Sequence, residues 1–87
     1  MKIKDGVVLR EVAGSFIVVA VGEAVKNFNG IINLNETGAF LWKILEKGAT
    51  KEQLIAKLLE EYDVDEKTAT ADVETFINKL SEAKLVK

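Results

Sequence analysis

The chain has 87 residues, with 12 Lys and Arg against 14 Asp and Glu, and a formal charge of −2. It contains no His and no Cys, which removes disulfides, thiolate chemistry, the commonest general base and the commonest metal ligand. The slight acidity argues against a nucleic-acid partner, and no apolar run approaches the roughly 20 residues needed to cross a bilayer.

This length accommodates one domain, residues 1–87, with one small core and a net stability of ~4–13 kcal/mol. The opening MKIKDG has no long apolar segment before charges resume, so it is not a signal peptide, and the expected location is the cytoplasm. Val7 to Ala13 is rich in β-branched residues but carries Arg10 and Glu11. That mixture suits an edge strand whose charges discourage unwanted pairing. Gly14-Ser15 signals a tight hairpin. Phe16 to Val21 is continuously apolar, as expected of a central strand buried on both faces.

After a turn at Gly22 to Val25, the stretch Lys26 to Leu34 alternates. Phe28, Gly30, Ile32 and Leu34 fall on one face of an extended chain, and Asn27, Asn29, Ile31 and Asn33 on the other. A period of two predicts a half-buried strand. Gly30 in its middle marks either a bulge or a place where a second backbone approaches closely. Three strands joined by two short turns give an antiparallel meander with Lys26–Leu34 at an edge. That edge stays uncovered unless the extreme C-terminus pairs with it.

The second half reads as three helices. Asn35 is a good N-cap for a helix from about Glu36 to Lys47, with Glu36 in the first turn, Leu41, Ile44 and Leu45 at helical spacing, and Gly48 at its end. Trp42 lies roughly a quarter-turn from that stripe and is expected at the core boundary, ring edge near solvent. Thr50 and Gln53 have capping-box spacing, and Leu54, Ile55, Leu58 and Leu59 give the second helix its apolar stripe. Asp65 can cap a third helix carrying Ala69, Val73, Phe76, Ile77 and Leu80 and ending near Ala83, with Leu85-Val86 folding back on the core. The fold class is therefore α+β: a three-stranded antiparallel meander followed by three helices, winged helix-turn-helix-like.

No enzyme can be assembled from these residues. Asp63, Asp65 and Glu66 cluster acids at a turn, but the further ligands and glycine of a calcium loop are missing, and capping explains them. Ser15, Ser81 and the threonines have no base nearby in sequence. Glu36 and Thr37 at a helix start have no basic residue or glycine-rich loop to cradle a phosphate. No catalytic, metal-binding or cofactor-binding residue is assigned. In a DNA reader one helix should carry Arg or Lys toward phosphates. The third helix instead begins DEKTATADVE, with four acids and one lysine.

Leu34-Asn35-Glu36-Thr37-Gly38-Ala39-Phe40-Leu41-Trp42 resembles the LNxTGxxxW block of PqqD-like proteins. Asp72-Val73 followed by Phe76 and Leu80 resembles their DVxxFxxxL helix, and Val8-Leu9-Arg10, Phe28-Asn29-Gly30 and Tyr62-Asp63-Val64 match in order. The resemblance spans nearly the whole chain and implies a stand-alone peptide-binding domain, the type called a RiPP recognition element. Such a domain binds the leader segment of a ribosomally made precursor peptide. It presents the core to a modifying enzyme, often a radical S-adenosylmethionine enzyme. The resemblance further implies that the leader adds beside the third strand, in a cleft flanked by the third helix. The match is to the broad PqqD-like set, and nothing singles out pyrroloquinoline quinone as the product.

The residue pattern agrees with that role: an uncovered edge, polar alternate positions, and a glycine where another backbone can approach. Strand addition draws affinity from backbone hydrogen bonds and specificity from side-chain pockets. The expected peptide-binding residues are Asn27, Phe28, Asn29, Gly30, Ile31, Ile32 and Asn33 on the strand, with Phe76 supporting an apolar pocket and Asp72 and Lys79 on one flank of the third helix. The pairing register and the flank that faces the cleft are left open. The expected partners are a leader peptide and its modifying enzyme, with no nucleic acid and no membrane, and the chain itself is a monomer or weak dimer. Two other readings compete: a homo-oligomeric scaffold pairing through the same edge, and a winged-helix DNA regulator.

Overall fold

In a computed structural model of the chain, residues 1–22 and 30–86 are described. Three strands, β1 (Val7–Val12), β2 (Ser15–Ala20) and β3 (Ile32–Leu34), precede three helices, α1 (Glu36–Leu45), α2 (Lys51–Glu61) and α3 (Glu66–Glu82). The sheet is antiparallel in the order β1-β2-β3, so the α+β meander with a central second strand is as the pattern predicts. Among the described residues, no helix is long and apolar enough to cross a membrane.

The β1–β2 hairpin closes one residue earlier than Gly14-Ser15 suggests. Val12 pairs with Ser15, leaving Ala13-Gly14 as a two-residue turn, and both have positive φ, 52° and 81°. A turn of that sign matches the right-handed twist of the flanking strands. Gly14 adopts it freely and Ala13 does so under strain.

Cross-strand partners settle which side chains share a face. Leu9, Val18 and Ile32 lie abreast, as do Phe16 and Leu34, and Val18 and Leu34 are buried. The opposite face carries Arg10, Ile17 and Asn33 abreast. Ile17 and Val19 are only half-buried, which corrects the expectation that Phe16–Val21 is buried on both faces. A continuously apolar run needs layers on both sides, and the helices supply one.

α1 is the helix most enclosed. Its N-cap Asn35 accepts from the Gly38 N–H at 2.7 Å, and Gly48 donates to the Leu45 carbonyl just past its end. Trp42, Leu41 and Leu45 are wholly buried, so Trp42 is a core residue and not the boundary residue its angular position suggests. A helix packed against both sheet and neighbouring helix buries a wider arc than one stripe. The Trp42 Nε1 is left without a hydrogen-bond partner.

The other caps form as read. Thr50 and Gln53 make a reciprocal capping box, and the Asp65 carboxylate accepts from the Thr68 N–H at 2.7 Å. Leu54 and Leu58 are buried, whereas Leu59 is 37% exposed and departs from the expected stripe. Lys51 on α2 pairs with Glu74 on α3 at 2.7 Å. Both chain ends join one layer: Ile3 bridges Val86, the Lys4 N–H donates to the Leu85 carbonyl at 2.7 Å, and Leu85 is buried.

Candidate functional site

β3 is the last strand of its side of the sheet. The C-terminal segment, the one candidate for covering it, pairs with Ile3 instead. Among the described residues no strand pairs with the free side of β3.

The register decides which backbone groups face outward. The Asn33 carbonyl accepts from Lys79 Nζ of α3 at 3.1 Å, so it points away from its cross-strand partner Ile17. In an antiparallel ladder such a residue turns both its N–H and C=O outward, while its neighbours turn theirs inward. Ile32 and Leu34, opposite Val18 and Phe16, therefore spend their backbone groups on β2. Asn33 turns its own to the side of β3 away from β2, and continuing the same period of two past the start of the strand would turn those of Ile31 the same way.

A cleft of about 250 Å³ lies beside this edge. One wall is Leu34 with Thr37, Gly38 and Leu41 of α1, and the other is Asp72, Thr75, Phe76 and Lys79 of α3. The i, i+3, i+4, i+7 spacing puts Asp72, Thr75, Phe76 and Lys79 on one helical face. Phe76 is 5% exposed and gives that wall an apolar base. Asp72 and Lys79 stand seven residues apart, roughly 10 Å along the axis, with opposite charges. Gly38 holds the other wall close. A Cβ there would stand 3.2 Å from Asn35 Oδ1 and 3.3 Å from Leu34 Cβ, so a larger residue would push the N-cap side chain and the end of β3 back by a few tenths of an ångström.

The structure thus brings together Asn33, Asp72, Phe76 and Lys79. Gly30 forms a bend and Ile31 is 64% exposed, both ahead of β3. Of the strand expected from Lys26 to Leu34, the described residues show Ile32–Leu34 as strand, and Lys26 lies outside the described residues. Asn27, Phe28 and Asn29 lie outside the described residues. Thr75 and Leu41 of the cleft were not singled out by the pattern. Thr75 was findable one turn beyond Asp72, and Leu41 reads equally as core.

Electrostatics away from the cleft is simple. The backbone N–H of Thr68, then its hydroxyl, hold the Asp65 carboxyl below its ordinary range. Desolvation, then the charges of Glu36 and Glu61, push the Tyr62 phenol up. Asp65 is occupied as a cap, and among the described residues no three His, Cys, Asp or Glu side chains cluster as metal ligands do.

Two solved structures share this fold. TbiB1 in complex with the TbiA(beta) leader peptide superposes with a TM-score of 0.78 at 25% identity, covering 100% of this chain and 95% of that one. Lasso peptide synthetase B1 complexed with the leader peptide superposes with a TM-score of 0.73 at 18% identity, covering 97% and 93%. No curated protein matches the sequence. The family profile described as coenzyme PQQ synthesis protein D (PqqD) matches residues 7–86, and the chain belongs to that family.

Proposed function

We propose that this chain binds the leader segment of a ribosomally synthesised precursor peptide as an added strand on β3 and presents the rest of the precursor to a modifying enzyme. The observation that carries this reading is the outward Asn33 backbone on the side of β3 that no strand among the described residues pairs with, beside a cleft whose far wall is α3. The TbiB1 structure, alike over almost its whole length, is a complex with a leader peptide, which supports it. On this reading the chain does no chemistry itself. Its partner enzyme is of the radical S-adenosylmethionine type, as the family resemblance implies, and the work is done in the cytoplasm where precursors are translated.

Main-chain pairing supplies affinity here, and the cleft supplies selectivity. Leu34, Leu41 and Phe76 offer an apolar seat, and Asp72 and Lys79 meet charged guest side chains. The guest orders as it binds, which offsets part of the contact energy, so a Kd near ~1 μM, roughly −8 kcal/mol, is expected.

Proline tests the pairing because it deletes one ladder donor. Asn33→Pro and Ile31→Pro remove outward N–H groups and leave the β2–β3 ladder in place. Both should fold and bind a leader encoded beside this chain's gene about tenfold or more weakly, since a lost hydrogen bond that strands its partner costs ~1–3 kcal/mol. Ile32→Pro should instead damage the fold, because its N–H faces β2. Folded Asn33→Pro and Ile31→Pro variants that bind such a leader with wild-type affinity by titration calorimetry would show the strand-addition reading to be wrong.

A further inference from the structure

α1 has a second exposed face. Thr37, Gly38 and Leu41 line the cleft beside β3, whereas Phe40, Lys43, Ile44 and Lys47 line a groove of about 560 Å³ against α2. The two sites share no residue. The floor of the groove is apolar: half-buried Phe40 and Ile44, one turn apart, and buried Ala49. The Phe40 ring packs edge-on against Tyr62, centroids 5.5 Å apart at 83°.

The rim carries one sign of charge. Lys43 and Lys47 stand on the α1 side, Gln53 and Lys57 on the α2 side, and no acid lines the groove. Lys57 has an exposed partner in Glu60 at 3.6 Å, while Lys43 and Lys47 have no ion-pair partner among the described residues. Lys43 stands in the last turn of α1, where a cation suits the helix dipole, and Lys47 lies just past the helix end. Glu36 acts on the Tyr62 phenol at the Phe40 end, and the charged side chains that line the groove itself are the three lysines Lys43, Lys47 and Lys57.

We infer that this groove is a second docking surface, which takes an acidic amphipathic helix carried by a partner protein. An apolar floor between two helices receives the apolar face of a third helix, and glutamates flanking that face meet the three lysines. Complementary charge of this kind steers encounter and selects the partner. A bilayer fits poorly, because it needs apolar side chains that protrude beyond the basic ones, and here they are recessed. A phosphate backbone makes no use of the apolar floor. Because the groove and the cleft are separate faces of α1, a partner seated here leaves the β3 edge free for its peptide.

The test uses the full chain, labelled with ¹⁵N, and two synthetic amphipathic peptides, each with leucine at i, i+3, i+4 and i+7. One carries glutamate elsewhere and the other lysine. The glutamate peptide should shift the amides of Lys43, Ile44, Lys47, Gln53 and Lys57 and leave Asn33 and Thr75 in place. The K43E/K47E/K57E variant should bind it about tenfold or more weakly, as the loss of complementary charge demands, and should bind the lysine peptide instead. Since all three positions are exposed, the variant folds, and its own spectrum verifies this; K47E alone should show the same trend in smaller degree. Equal binding of both peptides to the wild-type chain, shifts confined to the β3 cleft, or identical shifts with phosphatidylglycerol vesicles or duplex DNA would each overturn the inference.

Discussion

Lys79 spans the cleft from α3 to reach the Asn33 carbonyl, so a single flexible side chain occupies one acceptor that an incoming strand would use. On the proposed reading a guest N–H takes the place of this exposed contact. Trp42 is the opposite case, wholly enclosed with its Nε1 unpartnered. Burying a donor without a partner costs ~1–3 kcal/mol, while truncating a buried Trp to Ala costs ~3–5 kcal/mol. Trp42→Ala should therefore destabilise by about that much. Trp42→Phe, which removes the stranded donor and keeps most of the volume, should destabilise by less than ~1.5 kcal/mol, because the two effects oppose. Urea denaturation followed by circular dichroism separates them, and equal losses for both variants would mean that the indole N–H is satisfied in solution.

At the scale of elements, caps and turns set the boundaries. Ala13 sits at a φ of 52° in a turn where Asn-Gly is preferred. Ala13→Asn should raise stability by ~0.5–1 kcal/mol, seen as a higher urea midpoint with unchanged slope; a lower midpoint would show that Ala13 is not strained. The Asp65 cap makes α3 sensitive to acid. Its carboxyl titrates below its unfolded value because the Thr68 backbone N–H, and then the Thr68 hydroxyl, favour the charged form. The stabilisation is thus complete above the unfolded carboxylate pKa, about 3.9, and is lost as pH falls through the lower folded value. Stability measured from pH 6 downward should fall less steeply in Asp65→Asn, whose amide oxygen still caps but does not titrate. A parallel fall in both proteins would place the acid sensitivity elsewhere.

Across the whole molecule, the two ends of the described chain pair with each other and help close the core. Leu85 is 1% exposed, and the strip Ile3–Val86 ties residues 1–4 to the end of α3. Leu85→Ala should cost ~2–5 kcal/mol as a core truncation and lower the melting temperature. Leader affinity at temperatures where the variant remains folded should be unchanged, because Leu85 lines neither wall of the cleft. A variant that melts normally but loses its leader would link the ends to the edge strand.

The sequence alone determined the element order, the three caps at Asn35, Thr50 and Asp65, and the central place of Phe16–Val21, because each rests on a local rule: a period, a cap spacing or a turn residue. It also carried the PqqD resemblance through the Leu34–Trp42 and Asp72–Leu80 blocks. Tertiary packing decided the rest. That Trp42 is core, that Ile17 and Leu59 are not, that Asn33 and not Ile32 turns its backbone outward, and that Asp72 and Lys79 face the cleft all depend on how elements meet. Such meetings join residues far apart in the chain, Asn33 with Lys79 among them, and no single periodicity within one element encodes them.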